Sequence, residues 1–78
     1  MKQFVVIGLG RFGSSVATTL AEKGYDVLAI DKKEELVEEI SNVVTHSVQA
    51  DATDEDALKS LGVNNFDIGI VSIGDNIH

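Results

Sequence analysis

Four short apolar runs punctuate the chain, at residues 3–7, 26–30, 46–49 and 67–73. The first, second and fourth are nearly unbroken in Val, Ile, Leu and Ala, the pattern of strands covered on both faces. The third, inside "THSVQA", is weaker and reads as an edge strand. Between these runs the period changes to that of helices. Residues 11–23 set Phe12, Val16 and Leu20 at four-residue spacing, with Gly24 as a stop. Residues 33–41 turn Leu36, Val37 and Ile40 inward and Glu34, Glu35, Glu38 and Glu39 outward. Residues 54–61 open on a capping-box pattern, with Thr53 as cap and Asp56 three residues on, and end at Gly62.

The order is therefore βαβαβαβ, an α/β class that implies a parallel sheet with right-handed crossovers. Two crossovers stepping one way and a third returning give strand order 3-2-1-4, a Rossmann-like half domain. The first two helices then share one face of the sheet and the third covers the other. The fourth strand is left as a bare apolar edge, a pairing hazard that predicts a homodimer. The chain ends on "GDNIH", where a complete doubly wound domain continues, so residues 1–78 read as one truncated Rossmann-type nucleotide-binding domain.

Composition narrows the partners. A net charge of −7 disfavours nucleic acid and anionic membrane surfaces. The absence of cysteine removes disulfides and thiolate metal sites. The opening apolar stretch, residues 4–9, is too short to span a bilayer and lacks a signal-peptide cleavage pattern. No membrane insertion is expected, and the expected location is cytoplasmic.

The candidate chemistry begins with "VVIGLGRFGSS", which holds the G-x-G-x-x-G fingerprint as Gly8, Gly10 and Gly13. Gly8 permits the tight turn off the strand, Gly10 lets backbone approach a pyrophosphate, and Gly13 lets helix and sheet pack closely. The helix that follows offers unpaired N–H groups and its positive dipole end to an anion. Arg11, inside the loop, is placed to fork onto phosphate oxygens. A bare strand–helix turn with an exposed arginine satisfies the same spacing. Asp31 ends the second strand, 18 residues beyond Gly13, where a carboxylate accepts hydrogen bonds from ribose hydroxyls. It serves equally as a cap for the following helix. Asp31 should repel a 2′-phosphate, although Lys32 and Lys33 beside it carry the opposite charge.

A second acidic cluster, "ADATDED", follows the third strand. Asp51 and Ala52 are expected to face the crevice, bordering adenine or ribose. A hard cation on Asp51, Asp54, Glu55 and Asp56 is conceivable, but acids in a helix's first turn also complement its dipole; no metal is predicted. Ile73 and Gly74 are expected at the crevice floor. His46 is expected to pack within the edge strand, and Tyr25 falls at the opposite end of the sheet. No nucleophile, base and oxyanion donor assemble, so the chain is not read as an enzyme.

With these residues placed, the sequence resembles the N-terminal regulatory domain of Trk/Ktr-type potassium-uptake and channel-gating subunits, also called RCK or KTN domains. The matching stretches are "FVVIGLGRFGSSVA", "GYDVLAID", "VQADATDEDALKSLGV" and "FDIGIVSIGDNI". The resemblance implies an adenine nucleotide (ATP, ADP or NAD(H)) whose binding biases a ring that gates a membrane potassium pore subunit. It implies Gly8, Gly10, Arg11, Phe12 and Gly13 around the phosphates and Asp31 at the ribose with Lys32 next to it. Asp51, Ala52 and Thr53 would lie near the base, with Ile73 and Gly74 closing the crevice. It further implies a homodimer or larger ring in the intact protein, cytoplasmic and peripheral to a membrane transporter. Two readings compete with it: the cofactor-binding half of an NAD-dependent oxidoreductase, and an assembly fragment whose loop binds nothing.

Overall fold

The computed structural model describes residues 2–72. Four parallel strands, β1 (Gln3–Ile7), β2 (Asp26–Asp31), β3 (His46–Gln49) and β4 (Ile68–Val71), form one sheet in the order β3-β2-β1-β4. Three helices, α1 (Arg11–Glu22), α2 (Glu34–Ile40) and α3 (Glu55–Ser60), cross between them. A single 3-10 turn at Val63–Asn65 precedes β4. The fold is the Rossmann-like half domain that the alternation of strand and helix periods implies.

Side-chain alternation in the central strands divides the core in two. Phe4 and Val6 of β1, with Val27 and Ala29 of β2, pack beneath Ala17 of α1 and Val37 and Ile40 of α2. Val5, Ile7, Leu28 and Ile30 face the other way, against Leu58 of α3 and Leu61, Val63 and Phe66 beyond it. The first two helices thus share a face and the third stands opposite, as right-handed crossovers require. β1 and β2 read as continuous apolar runs because both of their faces are covered. Each fully buried Val or Ile in them contributes on the order of 1.5–3 kcal/mol. At the outer strands the backbone is tied by side chains: Asp67 Oδ2 accepts from Gln3 N–H (2.7 Å), and Thr45 Oγ1 from Val27 N–H (3.1 Å).

Four expectations change. The cap of α3 is Asp54, whose Oδ1 accepts from Ala57 N–H at 3.1 Å. Thr53 instead turns its hydroxyl back to Asp51 Oδ1, at 2.7 Å. Adjacent Thr and Asp both have capping chemistry, and the carboxylate one residue nearer the helix takes the position. Phe12 does not join the buried stripe of α1; it is 66% exposed, and Gly13 and Ala17 take the inner face. Gly13 faces the Gly8 carbonyl of the loop after β1, and Phe12 lies about 100° round the helix from it. His46 lies in the edge strand β3, but its side chain is exposed. The fourth strand covers Ile68–Val71; residue 73, assigned to it from sequence, lies outside the described residues.

Candidate functional site

A crevice of about 390 Å³ opens above the C-terminal ends of the strands, where order 3-2-1-4 reverses between β1 and β4. Open α/β sheets take their ligands at such a switch point. The loop after β1 (Gly8, Leu9, Gly10) forms one wall. Asp31, Lys32, Lys33 and Leu36, from the end of β2 and the start of α2, form a second. Ala50, Asp51, Ala52 and Thr53, after β3, form a third, and Ser72, after β4, borders the crevice. The volume falls within the range of about 300–1,000 Å³ typical of small-molecule sites.

The loop is held at several points. Gly8 adopts φ +96, a left-handed conformation that favours glycine, and its N–H donates to Ile30 C=O at 2.8 Å. A Cβ on Gly13 would overlap the Gly8 carbonyl oxygen, so close packing of α1 on the loop depends on a glycine there. Leu9 is 2% exposed, and its N–H donates to Asp31 Oδ2 at 2.7 Å.

Helix α1 begins directly at this loop. Gly10 occupies its cap position without a side-chain cap, and its first turn carries no acidic residue. By contrast, α2 starts with Glu34 and Glu35, and α3 with Glu55 and Asp56. Acidic side chains of their own compensate the positive ends of those two helices. Among the described residues, the amides of Arg11, Phe12 and Gly13 donate to no protein acceptor, as the first turn of a helix requires. They stand as three donors at an uncompensated dipole end, a geometry suited to a phosphate.

The carboxylates are ordered by local bonds. Asp31 is half-buried and uses both oxygens, Oδ2 for Leu9 N–H and Oδ1 for Lys33 N–H at 2.8 Å. One acceptor position on each oxygen remains for hydroxyl donors. Asp51 accepts from both the hydroxyl and the N–H of Thr53, at 2.7 and 2.9 Å. The Thr53 hydroxyl bond, then the Thr53 N–H bond, hold its carboxyl below the ordinary value, and the Lys32 charge adds to them. Lys32 C=O in turn accepts from Gln49 Nε2 at 3.0 Å, joining the ends of β2 and β3.

Of the residues singled out from sequence, Gly8, Gly10, Asp31, Lys32, Asp51, Ala52 and Thr53 line the crevice. Arg11 and Phe12 are exposed on the first turn of α1. Arg11 borders an adjoining groove of about 320 Å³ between α1 and α2. Gly13 is buried behind the loop, where it shapes the wall without lining it. Ile73 and Gly74 lie outside the described residues. Leu9, Leu36 and Ser72 were not singled out. Leu36 belongs to the inward stripe of α2 that the periodicity reveals, and Ser72 follows a strand end. No group of metal-ligating side chains is found among the described residues, and none of their helices is long and apolar enough to cross a membrane.

Comparison with known proteins decides the family. Residues 4–78 match the TrkA-N domain. The chain belongs to that family. This TrkA-N domain is 51% identical over 76 residues to the Ktr system potassium uptake protein C of Bacillus subtilis. It is 53% identical over 76 residues to the Ktr system potassium uptake protein A of the same organism. Each alignment covers 97% of the chain and 34% of the relative, so the domain spans about a third of these relatives' length. A more distant likeness is to a glycerol-3-phosphate dehydrogenase [NAD(P)+] of Staphylococcus aureus, 31% identical over 75 residues, covering 96% of this chain and 19% of that enzyme.

Proposed function

We propose that this TrkA-N domain binds an adenine nucleotide, ATP, ADP or NAD(H), in the crevice above its strands and so regulates a potassium-transport system. One observation carries the reading: the unpaired first-turn amides of α1 follow directly on the Gly8–Gly10 wall of a crevice that the Asp31 carboxylate also lines, at a topological switch point. The amides and the backbone of Gly8 and Gly10 suit phosphates, with Arg11 supplying charge from the helix start. Gly13 makes room for the loop, and Phe12 lies beside it. Asp31 accepts from the ribose hydroxyls, next to Lys32. Asp51, Ala52 and Thr53 are proposed to face the base. No metal is assigned. Because Asp31 is anionic, a 2′-phosphate at the same place is disfavoured.

The regulatory part of the reading follows the Ktr relatives, which are named potassium uptake proteins. The domain is a non-catalytic sensor in a homodimer or larger ring, cytoplasmic and peripheral to a membrane pore subunit that it gates. The dehydrogenase likeness favours a second reading, the cofactor half of an oxidoreductase. Its 31% identity stands well below the 51% and 53% of the Ktr proteins, and the regulatory reading is preferred.

Calorimetric titration with ATP, ADP, NADH and NADPH tests the proposal. Heat with at least one of ATP, ADP and NADH, and weaker binding of NADPH, is expected. Silence for all four overturns nucleotide binding, and hydride transfer to any substrate overturns the regulatory reading.

A further inference from the structure

We infer that Asp31 is a positioning residue for the phosphate loop as well as a ribose contact, so that one carboxylate links the two ends of the crevice. The inference rests on the nucleotide reading above. Its basis is a single peptide plane. The Gly8 carbonyl and the Leu9 N–H are the two ends of one planar amide. The carbonyl end lies against α1, in the space that Gly13 leaves by having no Cβ. The N–H end donates to Asp31 Oδ2 at 2.7 Å, across 22 positions of sequence.

The rest of the loop has little freedom to take over this task. Gly8 N–H is held by the Ile30 carbonyl at 2.8 Å, a main-chain bond that any side chain at Ile30 would preserve. Gly8 itself sits at φ +96, so its neighbouring peptide can turn more easily than one flanked by ordinary residues. Of the two bonds from β2 to the loop, only the one to Leu9 depends on a side chain. Asp31 is fixed in turn by Lys33 N–H, which donates to Oδ1 at 2.8 Å. The carboxylate is therefore clamped from the α2 side and holds the loop from the β1 side.

Removing it frees the Leu9 peptide to rotate. The Gly8 carbonyl then shifts against α1, and Gly10, which starts the helix, moves with it. Phosphate affinity drops even for a ligand that makes no contact with Asp31. Each carboxylate oxygen keeps one acceptor position, so the latch and ribose binding operate together.

A ligand without ribose hydroxyls separates the two roles. The wild-type chain, Asp31→Ala and Asp31→Asn are titrated with ADP and with 2′,3′-dideoxy-ADP. Hydrogen exchange of the Leu9 amide is followed in each ligand-free chain, with the Val6 and Val27 amides as folding controls. If Asp31 only touches ribose, Asp31→Ala leaves dideoxy-ADP binding unchanged. The latch predicts a loss of about fivefold or more for dideoxy-ADP, with lost protection at Leu9. Asparagine keeps one carbonyl acceptor and should restore part of both, which separates the latch from the charge. Dideoxy-ADP binding to Asp31→Ala at wild-type strength or better overturns the inference, as does unchanged Leu9 exchange. Should the alanine chain not fold, the asparagine comparison decides by the same two readouts. Failure of the wild-type chain to bind either nucleotide removes ADP from the nucleotides proposed above and leaves the inference to Leu9 exchange, which still reports on the latch.

Discussion

The Gly8 carbonyl oxygen lies where a side chain on Gly13 would begin. Helix and loop touch there through backbone, with nothing that can move aside. Gly13→Ala must displace either the loop or α1 and is expected to cost at least about 1–3 kcal/mol, the scale of overpacking in a tight core. Gly69→Ala is the matched control. A Cβ there meets only Val5 Cγ1, at an ordinary 3.5 Å, and a strand gains up to about 0.5–1 kcal/mol when alanine replaces glycine. Thermal unfolding of the two variants should place them on opposite sides of wild type, or nearly so. Equal midpoints would refute the close approach.

The start of α3 separates two neighbours. Asp54 caps the helix through Ala57 N–H, so Asp54→Ala should lower stability by about 1 kcal/mol. Thr53 makes no such bond, and its hydroxyl serves Asp51. Chemical denaturation of Asp54→Ala and Thr53→Ala should show the larger loss at Asp54.

Thr53 should instead control a titration. Its hydroxyl and N–H hold the Asp51 carboxyl below the ordinary value of 3.8. A carboxyl lowered in the folded state contributes stability that is fully present above its unfolded pKa and is lost as pH falls through the folded one. At neutral pH that contribution is complete, and acid removes it. Thr53→Val abolishes the hydroxyl bond, so the Asp51 carboxyl carbon followed by NMR should titrate at higher pH than in wild type. An unmoved midpoint would contradict the assignment.

One outer edge of the described sheet, β4, presents Ile68 and Val71 at 37% and 64% exposure. An apolar edge with unpaired backbone invites pairing, and sedimentation at micromolar concentration should give a dimer mass. Val71→Lys should shift the mass toward monomer, because charge on an edge strand opposes pairing. A monomeric wild-type chain would refute this.

Much of this architecture was legible in the sequence because it depends on period and order. Continuous apolar runs at β1 and β2, separated by a helical pattern, leave few alternatives to parallel pairing, and Asp31 at the end of β2 follows directly. The exposure of Phe12 was not legible. Val16 and Leu20 pack against the core as their spacing implies, but Phe12 on the same stripe is exposed, and Gly13 makes the contact with the Gly8 carbonyl. The Leu9–Asp31 bond was hidden for a related reason. It depends on the orientation of one peptide plane, made by a residue whose side chain marks it only as core. At the third loop the sequence pattern pointed to Thr53 as the cap, and local geometry gave the position to its neighbour Asp54.

The most direct test of the central claim is an amide-resolved NMR titration of the wild-type chain with ATP, ADP and NADH in turn. The account predicts that the largest perturbations fall on Gly10, Arg11, Phe12 and Gly13 and on Asp31 to Lys33. Tyr25 and Asp67, at the opposite end of the sheet, should stay still. Perturbations confined to that far end, or none with any of the three at saturation, would contradict it.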